Sequence, residues 1–181
     1  MQPNNFVALT AALGMTVISS QALAVDGTIT FNGLVTDQTC EIATPAGRDF
    51  TVTLPTVSAA TLAEAGATAG RTPFSINLSD CSEGSVATYF EPGPTVDFDT
   101  GRLDNQAVDG AENVQIQLLG SNNQVIPVLA VGAGMSQENS QWVAVEEGGS
   151  ADLNYYAEYY AVAAAGAGEV NSSVQYTIIY Q

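Results

Sequence analysis

Three groups of side chains in this 181-residue sequence have types and spacings that could support chemistry. Cys40 and Cys81 are its two cysteines, and no histidine accompanies them. Reactive thiolates and zinc centres commonly draw on imidazole, so a structural bridge is favoured over a nucleophile or a metal ligand. Asp97-Phe98-Asp99-Thr100-Gly101, with Asp104 close by, has part of the spacing of a calcium loop. It lacks the third ligand position and the distal glutamate, which favours a solvated acidic turn. Glu146 with Glu147, or Glu91 with Asp97, offer the paired carboxylates of a glycosidase, but nothing in the sequence builds the cleft that would set their environments apart. No serine sits in a nucleophile motif, and the single Trp142 reads as a core or strand-face aromatic rather than a sugar platform. The expectation is a chain with no catalytic residues, metal or other cofactor.

The charge narrows the partners. Nineteen acidic residues against three basic ones give a formal charge of −16, which repels nucleic-acid phosphates and anionic lipid headgroups. No acidic run is dense enough to mark a disordered tail. With 46% hydrophobic residues the chain is long enough to bury one sizeable core and short for two ordinary domains.

Residues 1–24 hold no charged side chain, include the apolar stretch Phe6 to Ile18, and end on Ala22-Leu23-Ala24, the small-x-small pattern of a cleavable export signal. The apolar stretch falls short of the roughly 20 residues of a membrane-spanning helix. The usual Lys or Arg of the leading region is absent. Cleavage after Ala24 would start the mature chain at Val25. Export to an oxidising compartment agrees with the cysteine pair, 41 positions apart, whose closure would stabilise the fold by roughly 3 to 4 kcal/mol.

Strand-forming runs fill the mature chain. They lie near Gly27–Val35, Phe50–Leu54, Phe74–Leu78, Val86–Phe90, Val114–Leu119, Val125–Leu129, Trp142–Val145, Leu153–Val162 and Val174–Tyr180. Turn residues such as Glu91-Pro92-Gly93-Pro94, Asp109-Gly110 and Gly148-Gly149 punctuate them. This spacing describes an all-β sandwich. Within Leu153–Ala161, alternation places Leu153, Tyr155, Ala157 and Tyr159 inside and Asn154, Tyr156, Glu158 and Tyr160 outside. One short helical turn is expected over Ser58–Ala65, capped by Ser58, carrying Leu62 and ended by Gly66. The alanine-rich run from Ala161 to Gly168 is read as a strand end and loop.

Several of these segments resemble major pilins of the chaperone-usher type 1 and P pilus family. The resemblance runs through Gly27–Ile42 (GTITFNGLVTDQTCEI), Leu54-Pro55 with Leu62 and Gly66, Pro73–Cys81 (PFSINLSDC) and Val174–Gln181 (VQYTIIYQ). The family pattern also has a tyrosine second from the end and a glycine fourteenth from the end, matched here by Tyr180 and Gly168. The stretch from Ser82 to Glu112 matches only loosely.

The resemblance implies an incomplete immunoglobulin-like sandwich that lacks its final strand and is completed by donor-strand exchange, with a signal peptide over 1–24, a donor extension over 25–36 and a pilin domain over 37–181. Such a groove exposes apolar side chains and unpaired backbone, so a strand must be borrowed. A periplasmic chaperone would lend one first, its basic residues holding the terminal carboxylate of Gln181. An outer-membrane usher would then exchange that strand for the next pilin's N-terminal segment. On the donor side the resemblance assigns Gly27, Ile29, Phe31, Gly33 and Val35, with Gly33 facing a shallow pocket. Burial of Ile29, Phe31 and Val35 would contribute about 5 to 9 kcal/mol before entropy. On the groove side it assigns Gly168, Val174, Tyr176, Ile178, Tyr180 and Gln181. The implied partners are identical or related pilins, the chaperone and the usher, in a homopolymeric fimbria on the cell surface that serves adhesion and biofilm formation. The alternatives are a minor adaptor or tip-proximal pilin, or a secreted carbohydrate-binding sandwich.

Overall fold

The computed structural model describes residues 27–131 and 136–181. The expected export signal therefore lies outside the described residues. The chain divides into two compact units, 1–32 and 33–181. Of the first, residues 27–32 are described, and they carry no helix or strand. The second holds every assigned element.

Its strands are β1 (Glu41–Ile42), β2 (Thr68–Cys81), β3 (Gly84–Phe90), β4 (Val96–Asp97), β5 (Arg102–Asp104), β6 (Val114–Gly120), β7 (Val125–Ile126), β8 (Val143–Val145), β9 (Gly149–Ala161) and β10 (Tyr176–Tyr180). All pairings are antiparallel and form two sheets. The larger runs β1-β2-β9-β6-β5-β4, with β7 also pairing β6; the smaller runs β10-β3-β8. Long β2 and β9 form the spine of the larger sheet, in a register that sets Phe74 opposite Tyr155 and Ile76 opposite Leu153. The ladder shifts between Ala69 and Thr72, where Gly70 takes a φ of 69° that side-chain-bearing residues rarely adopt.

Alternation explains the core. Leu153, Tyr155 and Ala157 of β9 are buried, as are Ile76 and Leu78 of β2, and they meet Val86 and Phe90 from the facing sheet. The Phe90 and Tyr155 rings pack edge to face at 5.2 Å. The short helical turn is a 3-10 turn at Ala59–Leu62; the Ser58 hydroxyl accepts the Ala60 amide, and Leu62 is buried against Ala111, Val114 and Ala161.

Several sequence expectations change. Gly27–Val35 and Phe50–Leu54 form no strand, because no neighbour pairs with their backbones among the described residues. Val125–Leu129 shortens to Val125–Ile126, and the last strand begins at Tyr176 rather than Val174. Glu158, expected outside, is 3% exposed. Arg71 covers it, donating from Nε to Oε2 at 2.7 Å, while Gln117 donates to Oε1 at 2.6 Å. The acidic Asp97–Asp104 stretch is the β4–β5 hairpin. The Asp97 carboxylate accepts from the Asp99 amide and the Thr100 hydroxyl, both at 2.9 Å, which makes it the turn's own cap.

Candidate functional site: an open groove

Both walls of a groove are built from extended chain with strand-like alternation. On one side Phe50, Val52 and Leu54 are half-buried while Thr51 and Thr53 are exposed. On the other, Ser172, Val174, Tyr176 and Ile178 turn inward while Ser173, Gln175 and Thr177 face solvent. Between these walls lies a hollow of about 650 Å³ floored by Ile76, Phe90, Ile116, Leu118 and Ala157. A second hollow of about 540 Å³ continues it between residues 56–62 and 165–171. The two follow the same pair of chain segments end to end.

The walls differ in what their backbones do. β10 pairs along one edge with β3, Tyr176 opposite Phe90 and Tyr180 opposite Val86. No strand pairs with its other edge among the described residues, because β10 ends its sheet. From Arg48 to Val57 no residue belongs to a ladder at all. Buried or half-buried backbone normally finds partners, so a slot flanked by two unpaired edges matches one added strand.

Contacts across the site come from aromatic and polar side chains. Phe50 lies 6.2 Å from Phe74 and 6.5 Å from Tyr176, centroid to centroid. The Tyr176 hydroxyl donates to the Arg48 carbonyl at 2.9 Å, joining the two walls. Burial, reinforced by Asp49, holds that hydroxyl above the ordinary phenol range, so it remains a proton donor. Ser172 Oγ is buried in the wall with no hydrogen-bond partner among the described residues.

The residues singled out from sequence fall as follows. Cys40 and Cys81 form a disulfide, tying the chain that enters β1 to the end of β2. Val174, Tyr176 and Ile178 line the groove. Tyr180 lies beyond it, where its hydroxyl accepts the Cys40 amide at 3.0 Å, fixing the disulfide against the last strand. Gln181 exchanges backbone hydrogen bonds with Ser85 at 2.8 and 2.9 Å. Gly168 lines the second hollow, and a Cβ there would collide with the Ala111 nitrogen and the Gly110 carbonyl carbon. Only glycine lets these backbones pass so closely. Gly27, Ile29, Phe31, Gly33 and Val35 lie in irregular chain, with Ile29 80%, Phe31 88% and Val35 96% exposed. Sequence reading missed the wall at Arg48–Leu54 and the floor at Ile116 and Leu118. The inward alternation of Phe50, Val52 and Leu54 carried that signal, but the missing partner did not show.

The groove offers apolar pockets and backbone edges. Among the described residues no group of three or more Cys, Asp or Glu is placed to hold a metal ion. No described helix is long and apolar enough to cross a membrane.

Comparison with known proteins agrees with this geometry. The family model for type-1 fimbrial protein A (FimA) matches residues 54–181. The chain is 72% identical over 160 residues to the major fimbrial subunit SMF-1 of Stenotrophomonas maltophilia, covering 88% of this chain and 95% of that one. It is 44% identical over 169 residues to the F17 fimbrial protein of Escherichia coli, covering 90% and 92%. A subunit in a solved chaperone-usher pilus superposes with a TM-score of 0.58 at 23% identity, covering 93% of this chain and all of that one. That likeness supports the immunoglobulin-like fold. The chain belongs to the type-1 fimbrial protein A family and is a structural, non-enzymatic fimbrial subunit.

Proposed function

We propose that this protein is the repeating shaft subunit of a chaperone-usher fimbria and polymerises by donor-strand complementation. Residues 25–36 act as the donor and residues 37–181 as the acceptor domain, with an export signal over 1–24. The observation that carries the reading is the groove, whose two walls are extended in strand-like alternation yet unpaired along their facing edges. The exposed Ile29, Phe31 and Val35 supply the complementary chemistry, since alternate side chains of a strand share one face. During export a periplasmic chaperone occupies the groove, and an outer-membrane usher exchanges its strand for the next subunit's donor. The fimbria reaches the cell surface, where it serves adhesion and biofilm formation.

Deleting Gly27–Val35 tests this. The expected outcome is no incorporation into fibres, with chaperone capture through β10 intact. Fibres of the deleted subunit at wild-type abundance would overturn donor-strand assembly. Gold-labelled antibody along the whole fibre is the expected result for a shaft subunit; labelling confined to the tip would make it a minor adaptor.

A further inference from the structure

The Tyr176 side chain does more than line the groove. It starts β10, where Tyr176 is in register with Phe90, and it projects from the paired wall toward the unpaired one. There the hydroxyl donates to the Arg48 carbonyl at 2.9 Å while the ring packs against Phe50. No backbone hydrogen bond joins Arg48–Leu54 to β10 among the described residues. These side-chain contacts are therefore what hold that wall to β10 at this end. The acceptor is a main-chain carbonyl, so the bond consumes one of the edge groups that an entering strand would use.

We infer that Tyr176, through Arg48 and Phe50, is a clasp that closes this end of the empty groove and sets how fast the groove admits a strand. The inference rests on the donor-strand reading and deepens it. An incoming strand must break the Tyr176–Arg48 bond and shift Phe50 before its backbone can lie along the β10 edge. The clasp is thus lost before or during entry and is absent from the filled groove. Its removal should raise the rate of entry and leave the rate of exit unchanged.

Mature chain, diluted from denaturant, is mixed with a fluorescent peptide of residues 25–36, and the anisotropy rise gives the association rate. Chase with unlabelled peptide gives the dissociation rate. Tyr176→Phe keeps the ring and deletes the donor. It is expected to associate about two- to tenfold faster, the factor one hydrogen bond supplies, with dissociation unchanged. An unchanged or slower association rate overturns the clasp, and so does faster dissociation without faster association, which a merely structural role predicts. If Tyr176→Phe fails to fold, Phe50→Leu decides: it loosens the ring contact from the opposite wall and should speed association in the same direction, with an unaltered rate overturning the inference. Failure of wild-type chain to take up the peptide at any concentration would instead overturn the donor-strand reading itself, and the clasp with it.

Discussion

The outer face of the larger sheet and the groove are both built from alternating strands, yet one is closed by the chain itself and the other is not. On the outer face, most polar side chains pair with each other across successive strands, although Gln115 Oε1 is buried without a partner among the described residues. Asn77 donates to Asp152 at 2.6 Å, Ser75 to Asn154 at 2.7 Å, Arg71 and Gln117 both reach Glu158, and the Gln115 amide bridges Asp104 and Asp97 at 2.9 and 3.0 Å. Along the groove the equivalent edges face an empty slot. Buried polar groups that find partners cost little, whereas unpaired ones cost about 1 to 3 kcal/mol each. The outer face should thus be equally stable with or without a donor, and the groove should gain order only when filled.

The sharpest break is at Gly168. Gly168→Val would drive side-chain carbon into the Ala111 nitrogen and the Gly110 carbonyl carbon, and neither main-chain atom can swing aside like a flexible side chain. Overpacking against fixed backbone costs about 1 to 3 kcal/mol and occasionally more, and the wall of the second hollow would be displaced. The expected result is little soluble subunit in the periplasm, measured by immunoblot, with no rescue by added donor peptide. Wild-type yield would show that the 166–169 segment moves freely and is not a fixed wall.

Glu158→Ala probes the closed region with a smaller effect. It leaves Gln117 Nε2, in a residue 4% exposed, without its acceptor and releases Arg71 to solvent. A loss of about 1 to 3 kcal/mol is expected, read from urea unfolding. The decisive feature is that the loss should be the same with the groove empty or filled by peptide. A loss that shrinks on filling would mean the two regions are coupled and would blur the comparison.

Local pattern revealed most of the closed region and little of the open one. Period-two alternation correctly placed Leu153, Tyr155 and Ala157 inside, because a strand with one face on the core keeps that register. The same rule misplaced Glu158, whose burial depends on Arg71, 87 positions away in sequence. Ser58 marked the start of the helical turn because capping is a local property, but the turn closes at Ala63 rather than running on to Gly66. β4 and β5 have two and three residues, too few for periodicity to register, so their acidic turn was weighed as a metal loop. The groove lies between segments more than 100 positions apart. Residue types marked both walls as strands, but only the three-dimensional arrangement shows that neither has a partner on its facing edge.

The mildest test lies in the β4–β5 turn, where Asp97 caps the hairpin. Hydrogen bonds from Gln115, then from the Asp99 amide and the Thr100 hydroxyl, hold its carboxyl below the ordinary aspartate value. A folded-state pKa depressed in this way stabilises the protein fully above the unfolded aspartate value, and the contribution disappears as pH falls through the folded one. Asp97→Asn should therefore unfold at slightly lower denaturant than wild type at neutral pH, with the gap closing as pH falls below the ordinary aspartate range. Because the turn belongs to the closed region, donor peptide should leave that gap unaltered at every pH. A gap that persists undiminished into acid would mean that Asp97 caps the turn by shape rather than by charge.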